Sequence, residues 1–177
     1  MRWLIAGLLV VTSSYTYADG ALYGELQVGA GYVNHSNLDF YPSIGTVTLG
    51  AFVLPGIGFE VFADSGLAEG SEAGFEMSLE HAQGVAARFQ SPPVKGLQGF
   101  VVLGLVDYTL EQRSDLIGTA TGRTISEDFR GARVSIGMMQ RLKRFPYLQV
   151  TAEYRHYNAD EPIRLDGIVF GLRVNAP

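Results

Sequence analysis

TVTLGAFVLPGIGFEVFADS, Thr46 to Ser65, decides the fold. Val47, Leu49, Ala51 and Val53 alternate with Thr46, Thr48 and Gly50. After Pro55-Gly56, Ile57, Phe59, Val61 and Ala63 alternate with Gly58, Glu60, Phe62 and Asp64. Successive side chains on a strand point to opposite faces, so a period of two marks a strand with one oily face. Pro-Gly is a turn dipeptide. The stretch predicts a β-hairpin with a carboxylate, Glu60, on its non-oily face.

Outward from this hairpin the pattern repeats. Before it, Leu22, Leu26, Val28, Ala30 and Tyr32 oppose Tyr23, Glu25, Gln27, Gly29 and Gly31. After it, Phe75, Met77 and Leu79 oppose Glu76, Ser78 and Glu80; Val85, Ala87 and Phe89 then continue on the other side of a β-bulge expected near His81 to Gly84. Phe100, Val102, Val106, Tyr108 and Leu110 oppose Asp107, Thr109 and Glu111, although FVVLGLV is apolar on both faces. Three further strands follow. Ala132, Val134, Ile136 and Met138 oppose Arg133, Ser135 and Met139. Leu148, Val150, Ala152 and Tyr154 oppose Gln149, Glu153, Arg155 and Tyr157. Ile168, Phe170, Leu172 and Val174 oppose Gly167, Gly171 and Arg173. The connections Asn34–Ser43, Gly66–Glu72, Gln112–Asp128 and Asn158–Arg164 are read as polar loops, and those at Pro55-Gly56 and RLKRFP as short turns.

Composition narrows the classes. The 177 residues carry a formal charge of -5 and no cysteine, which excludes disulfides, thiolate metal sites and a Cys nucleophile. Basic residues are few and dispersed, which argues against nucleic acid. Glycine, 22 of 177, exceeds the usual ~7% and suits close-packed strands rather than helices. Met1-Arg2, the apolar run Trp3–Val11 and Thr16-Tyr17-Ala18 read as a secretory signal peptide over 1–18, cut after about Ala18. One domain, 19–177, follows.

About eight strands of roughly ten residues match the ~9–11 needed to cross a bilayer. An even number can close without a free edge. The expected fold is therefore all-β: an eight-stranded antiparallel up-and-down transmembrane β-barrel, monomeric. Its oily parity faces lipid, where Arg or Lys at mid-depth costs ~2–4 kcal/mol. Its other parity faces a lumen that a barrel of this size fills with side chains. Glu25, Glu60, Glu76, Arg133, Glu153, Arg155 and Arg173 are expected to form an interior charge network, because secluded charges need partners. Glu153 is the first candidate partner for Arg133, and Glu111 the second. Tyr32, Tyr108 and Tyr154 near one mouth, and Phe59, Phe89 and Phe100 near the other, are expected to form interface girdles.

YGELQVGAGY, GAFVLPGIGFEVFADSG and LQVTAEYRHY resemble the small outer-membrane β-barrel proteins of the OmpA/OmpX-like class, over essentially all of 19–177. The resemblance implies the outer membrane of a Gram-negative bacterium. It also implies contact with lipid and lipopolysaccharide, passage by periplasmic chaperones and the barrel-assembly machinery, and loops that meet a surface partner. The chain departs from that class in its ending, Arg173-Val174-Asn175-Ala176-Pro177, where an aromatic residue is usual.

Two groups could carry catalysis. His35, with Asp64 and Ser65 on a neighbouring rim, is similar to the set in lipid A palmitoyltransferase; a serine nucleophile needs a base within reach and an acid to orient it. His156-Tyr157-Asn158 resembles the His-x-Ser-Asn segment of lipid A deacylase, but the serine is missing. The simpler reading is of polar residues at strand ends. His81 reads as a bulge or packing residue. No cofactor motif and no metal-ligand spacing is found. The expected role is structural or surface-interactive; a lipid A-modifying enzyme and a narrow channel of the porin kind are the alternatives.

Overall fold

The computed structural model describes residues 22–35, 38–72, 75–114, 123–159 and 164–176; the expected signal peptide lies outside them. They form ten strands: β1 (Leu22–His35), β2 (Leu38–Phe40), β3 (Ser43–Leu54), β4 (Ile57–Ala68), β5 (Gly70–Glu72), β6 (Phe75–Gln90), β7 (Leu97–Ser114), β8 (Arg123–Leu142), β9 (Phe145–Ala159) and β10 (Arg164–Asn175). Eight are staves. Each pairs antiparallel with the next, and β10 pairs with β1 from Tyr23↔Asn175 to Asn34↔Arg164, so the sheet closes. Closure removes every edge and satisfies the backbone within the wall, the condition for a sheet to sit in lipid.

The opening hairpin is β3–β4. Leu49 pairs with Val61 and Gly50 with Glu60, and Gly56 at φ 74 supplies the positive φ that Pro-Gly turns need. The β6–β7 connection ends in a tight turn, Val94 to Leu97, closed by two backbone hydrogen bonds of 2.8 and 3.0 Å, with both central residues at positive φ (Lys95 54, Gly96 85). Lys143-Arg144 joins β8 to β9. These three turns mark one end of the barrel, the turn end; the other is the loop end.

The strands outrun the ten residues expected. β7 has 18 and β8 has 20. The stretch read as the longest loop, Gln112–Asp128, is largely strand, and only 115–122 lie outside the described residues. Asn34–Ser43 and Gly66–Glu72 likewise contain β2, paired with β1, and β5, paired with β6. The staves therefore project beyond the apolar outer band.

That projection inverts the pattern. Within the band Leu26, Val28, Val61, Leu103, Ile136 and Phe170 face outward and polar groups face the lumen. Towards the loop end the lumen becomes oily instead: Val33, Phe40, Ile44, Met77, Leu79, Val106, Tyr108, Leu110 and Leu165 form a buried cluster. Outside it lie Glu80, Asp107, Asp128 and Arg130, all exposed. Where the outside is water rather than apolar, the ordinary rule of oily inside returns.

Three expectations are corrected by this geometry. Met77 and Leu79 point inward, so Glu76 stands on the outward parity and is no member of the interior network. The expected bulge exists, between Leu79 and His81, and it restores outward Val85 and Phe89 below. The whole of β7 is reversed from the oily-outside reading: Phe100, Val102, Val106 and Tyr108 are buried inside, while Val101, Leu103 and Leu105 face out. Hence Phe100 and Tyr108 belong to no girdle, whereas Phe59, Phe89 and Tyr154 are exposed on the outer face.

Candidate functional site

The lumen is assembled from inward residues of all eight staves. At the turn end Arg173 is fully buried, its guanidinium 3.3 Å from the centroid of the Tyr23 ring. That ring in turn lies over Gly50, its cross-strand partner, where any Cβ would meet it at 2.2 Å. Next, Arg88 lies 3.6 Å from the Phe100 centroid and donates to Glu60 Oε1 at 2.7 Å; Glu25 Oε2 is 3.7 Å away. Tyr23 Oη donates to the same Glu60 oxygen at 2.6 Å.

One level further, Arg133 Nη2 donates to Glu153 Oε1 at 2.8 Å, and Arg155 Nε lies 3.2 Å from that oxygen. Gln27 Nε2 bridges Glu25 at 2.8 Å and Glu153 at 3.0 Å. Arg155 also donates to Thr46 Oγ1 at 2.8 Å, to Asp64 Oδ1 at 3.2 Å and to Gln27 Oε1. Tyr157 Oη donates to Asp64. Phe62 lies 4.2 Å beneath the Arg133 guanidinium.

Among the described residues, the buried arginines Arg88, Arg133, Arg155 and Arg173 are matched by the buried acids Glu25, Glu60, Asp64 and Glu153: four against four, and no net charge. A lone buried charge carries a desolvation penalty of several kcal/mol, which ion pairs offset for Arg88, Arg133 and Arg155, whereas Arg173 rests on the Tyr23 and Phe52 rings and on Gln90 Oε1 at 3.4 Å. Stacking on aromatic faces adds to the stabilisation of each guanidinium except Arg155, for which no ring contact is found among the described residues. The result is a lumen occupied by these buried side chains. Arg88, which the alternation also puts on the non-oily face, belongs to it, as do Tyr23, Gln27, Asp64 and Tyr157, which the expected charge set omitted. Their inward parity was the available signal.

Among the described side chains, the catalytic candidates Asp64, Ser65 and His156 are not brought together. Asp64 is buried and engaged by Arg155 and Tyr157, while its neighbour Ser65 points the other way, exposed, its hydroxyl 3.4 Å from Gly66 O. Consecutive residues on a strand cannot share one site. His35 ends β1 opposite Leu38; its side chain lies outside the described set, as do Ser36 and Asn37. His156 Nδ1 is 2.6 Å from Asp166 Oδ1, which also accepts from Tyr154 Oη at 2.7 Å. No described serine joins that group: Ser135, across the strand pair, is buried inward. His81 stands exposed at the bulge, 3.5 Å from Thr109 Oγ1, but that hydroxyl donates to Asp128 at 2.7 Å.

At the loop end, β2 is strapped to β1 by Asp39 Oδ1, which accepts from Asn34 Nδ2 at 2.7 Å and Tyr32 Oη at 2.8 Å. Those two bonds hold the Asp39 carboxyl below its usual range, Asn34 contributing most. A depressed folded-state pKa contributes stability that is present above the unfolded value of about 4 and lost as pH falls through the folded one. Amide exchange at Leu38 to Phe40 is therefore expected to accelerate as pH drops below about 4 relative to an Asp39→Asn variant, after correction for intrinsic rates. Equal protection in both chains at all pH values would show that the carboxylate does not hold the strap.

No protein-family model matches the chain, and no curated protein matches it. Solved structures do. Neisserial surface protein A superposes with a TM-score of 0.68 at 15% identity, covering 90% of this chain and 99% of that one. The fold is that of a small transmembrane β-barrel. Ail, the attachment invasion locus protein of Yersinia pestis, gives 0.60 at 10% identity over 89% of this chain and 99% of its own. A major outer membrane protein of Thermus thermophilus gives 0.58 at 11% over 88% and 100%. Identities this low establish the architecture and not the activity.

Proposed function

We propose that this chain is a protein of the Gram-negative outer membrane, exported through the segment 1–18, with a structural or surface-interaction role. Outer-membrane lipid and lipopolysaccharide surround it, chaperones and the barrel-assembly machinery deliver it, and its loop end meets a partner outside the cell. One observation carries the reading: a closed barrel whose outer face is apolar around its girth, over a lumen closed by a neutral Arg–carboxylate plug. The first belongs in lipid, and the second leaves no work for an aqueous pore.

Asp64 is buried away from Ser65, and among the described residues no serine stands beside His156, so neither constellation supports the enzyme alternative. Lipid A from cells with and without the protein is expected to give identical mass spectra; a change in acyl chain number would overturn the structural reading. Orientation is tested by single cysteines. Glu127→Cys, at the loop end, is expected to react with an impermeant maleimide on intact cells, and Lys143→Cys only after lysis. The reverse labelling would invert the barrel.

A further inference from the structure

We infer that the turn end carries a binding surface for anionic phospholipid headgroups, built by the β6–β7 and β8–β9 turns. The inference rests on the membrane reading above. The chain has two lysines, Lys95 and Lys143, and each lies in one of these turns. Arg141 and Arg144 stand beside Lys143, and neither 89–100 nor 139–148 contains an Asp or Glu. The third turn, from Phe52 to Gly58, contains none either.

The two basic turns form one surface. Arg141 N–H donates to Gly96 C=O at 2.9 Å, and Leu97 pairs with Gln140. The paired positive φ values hold Lys95 at the tip of its turn. Lys143 and Arg144 are exposed at the tip of the other. Apolar side chains stand beside them: Val94 is 68% exposed, Phe145 41% and Tyr147 51%. Cations above an apolar skirt match a lipid whose phosphate meets the turns and whose acyl chains lie on the band. Among the described residues the loop end is net acidic: Asp39, Glu69, Glu72, Glu80, Asp107, Glu127 and Asp128 are exposed there against Arg113 and Arg130, the latter paired with Asp107 at 2.7 Å. The barrel is thus electrically polar along its axis, and anionic lipid is recruited at one rim alone.

A basic residue close to an anionic headgroup enriches it about fivefold. The test uses the full chain carrying Trp3→Phe and Phe145→Trp, refolded into phosphatidylcholine vesicles doped with either brominated phosphatidylglycerol or brominated phosphatidylcholine at equal mole fraction. Quenching by the anionic lipid is expected to correspond to at least about fivefold enrichment at this site, to weaken at high salt, and to disappear in a Lys95→Gln/Lys143→Gln/Arg144→Gln variant. A tryptophan at the other end, Tyr154→Trp, is expected to be quenched equally by both lipids. Equal quenching at Phe145→Trp with insertion intact overturns this inference alone. So does a preference that survives the triple substitution, or one shared by Tyr154→Trp. Equal quenching together with co-sedimentation on peptidoglycan sacculi would assign the basic turns to that polymer instead. No quenching by either lipid overturns the membrane reading as well.

Discussion

Arg133→Met, made alone, is expected to destabilise the refolded barrel by about 3–5 kcal/mol, because it leaves buried Glu153 with one partner fewer. Glu153→Gln is expected to cost at least as much. Its Oε1 serves Arg133 at 2.8 Å and Arg155 at 3.2 Å, so its loss leaves two guanidinium groups to share Asp64, which reaches only Arg155, at 3.2 Å. The double variant is expected to cost less than the sum of the two, with a coupling of about 0.5–3 kcal/mol. Methionine conserves much of the volume and keeps contact with Phe62, so packing loss is small beside the electrostatic one. Equilibrium unfolding by urea in lipid supplies all corners of the cycle. Strict additivity would mean that water in the lumen solvates each charge separately, and the plug would then be a conduit. Electrical recordings across planar bilayers would be the next measurement in that case.

Val150→Arg carries the second large effect. Val150 is 42% exposed on the outer face, paired with Leu172 and Gln140, with Ile136 and Met138 on one flanking stave and Ile168 and Phe170 on the other facing out beside it. At mid-bilayer an arginine there is expected to cost about 2–4 kcal/mol. Val94 is 68% exposed in the β6–β7 turn, at the end of the barrel where the apolar band gives way to the headgroups. Val94→Arg is accordingly expected to cost about 0–1 kcal/mol in electrostatics. The contrast between the two is the measured quantity, read from the urea midpoint of refolding into vesicles. Equal destabilisation at both positions would mean that the apolar band does not lie in lipid as assigned.

Both predictions draw on a pattern that is legible in the chain itself. A period of two, broken by Pro55-Gly56 and repeated about eight times, is enough for a closed antiparallel barrel, because each stave has one oily and one polar parity and no other arrangement buries both without an edge. Within the band the facing of β1, β3, β4, β8, β9 and β10 follows directly. The same parity puts Glu25, Glu60, Arg133, Glu153, Arg155 and Arg173 in a common space, where the need for partners is a matter of desolvation and not of geometry.

Where that rule stops is a property of the folded barrel. The oily parity means "outward" only as far as the bilayer extends. Above it the solvent outside becomes water, and Met77, Leu79, Val106, Tyr108 and Leu110 turn in. Strand composition does not announce that height, so parity alone puts Glu76 in the wrong compartment and turns β7, apolar on both faces, the wrong way. Pairing within the lumen is equally hidden. Arg133 sits across from Tyr157 and Glu153 from Gly137, so the ion pair is not a cross-strand neighbour pair. It forms because a long guanidinium side chain reaches along the barrel axis to whichever acid the closure of the staves has brought near. Alternation along the sequence carries the environment of each face; it holds no record of how far apart two inward side chains lie once the sheet has curled shut.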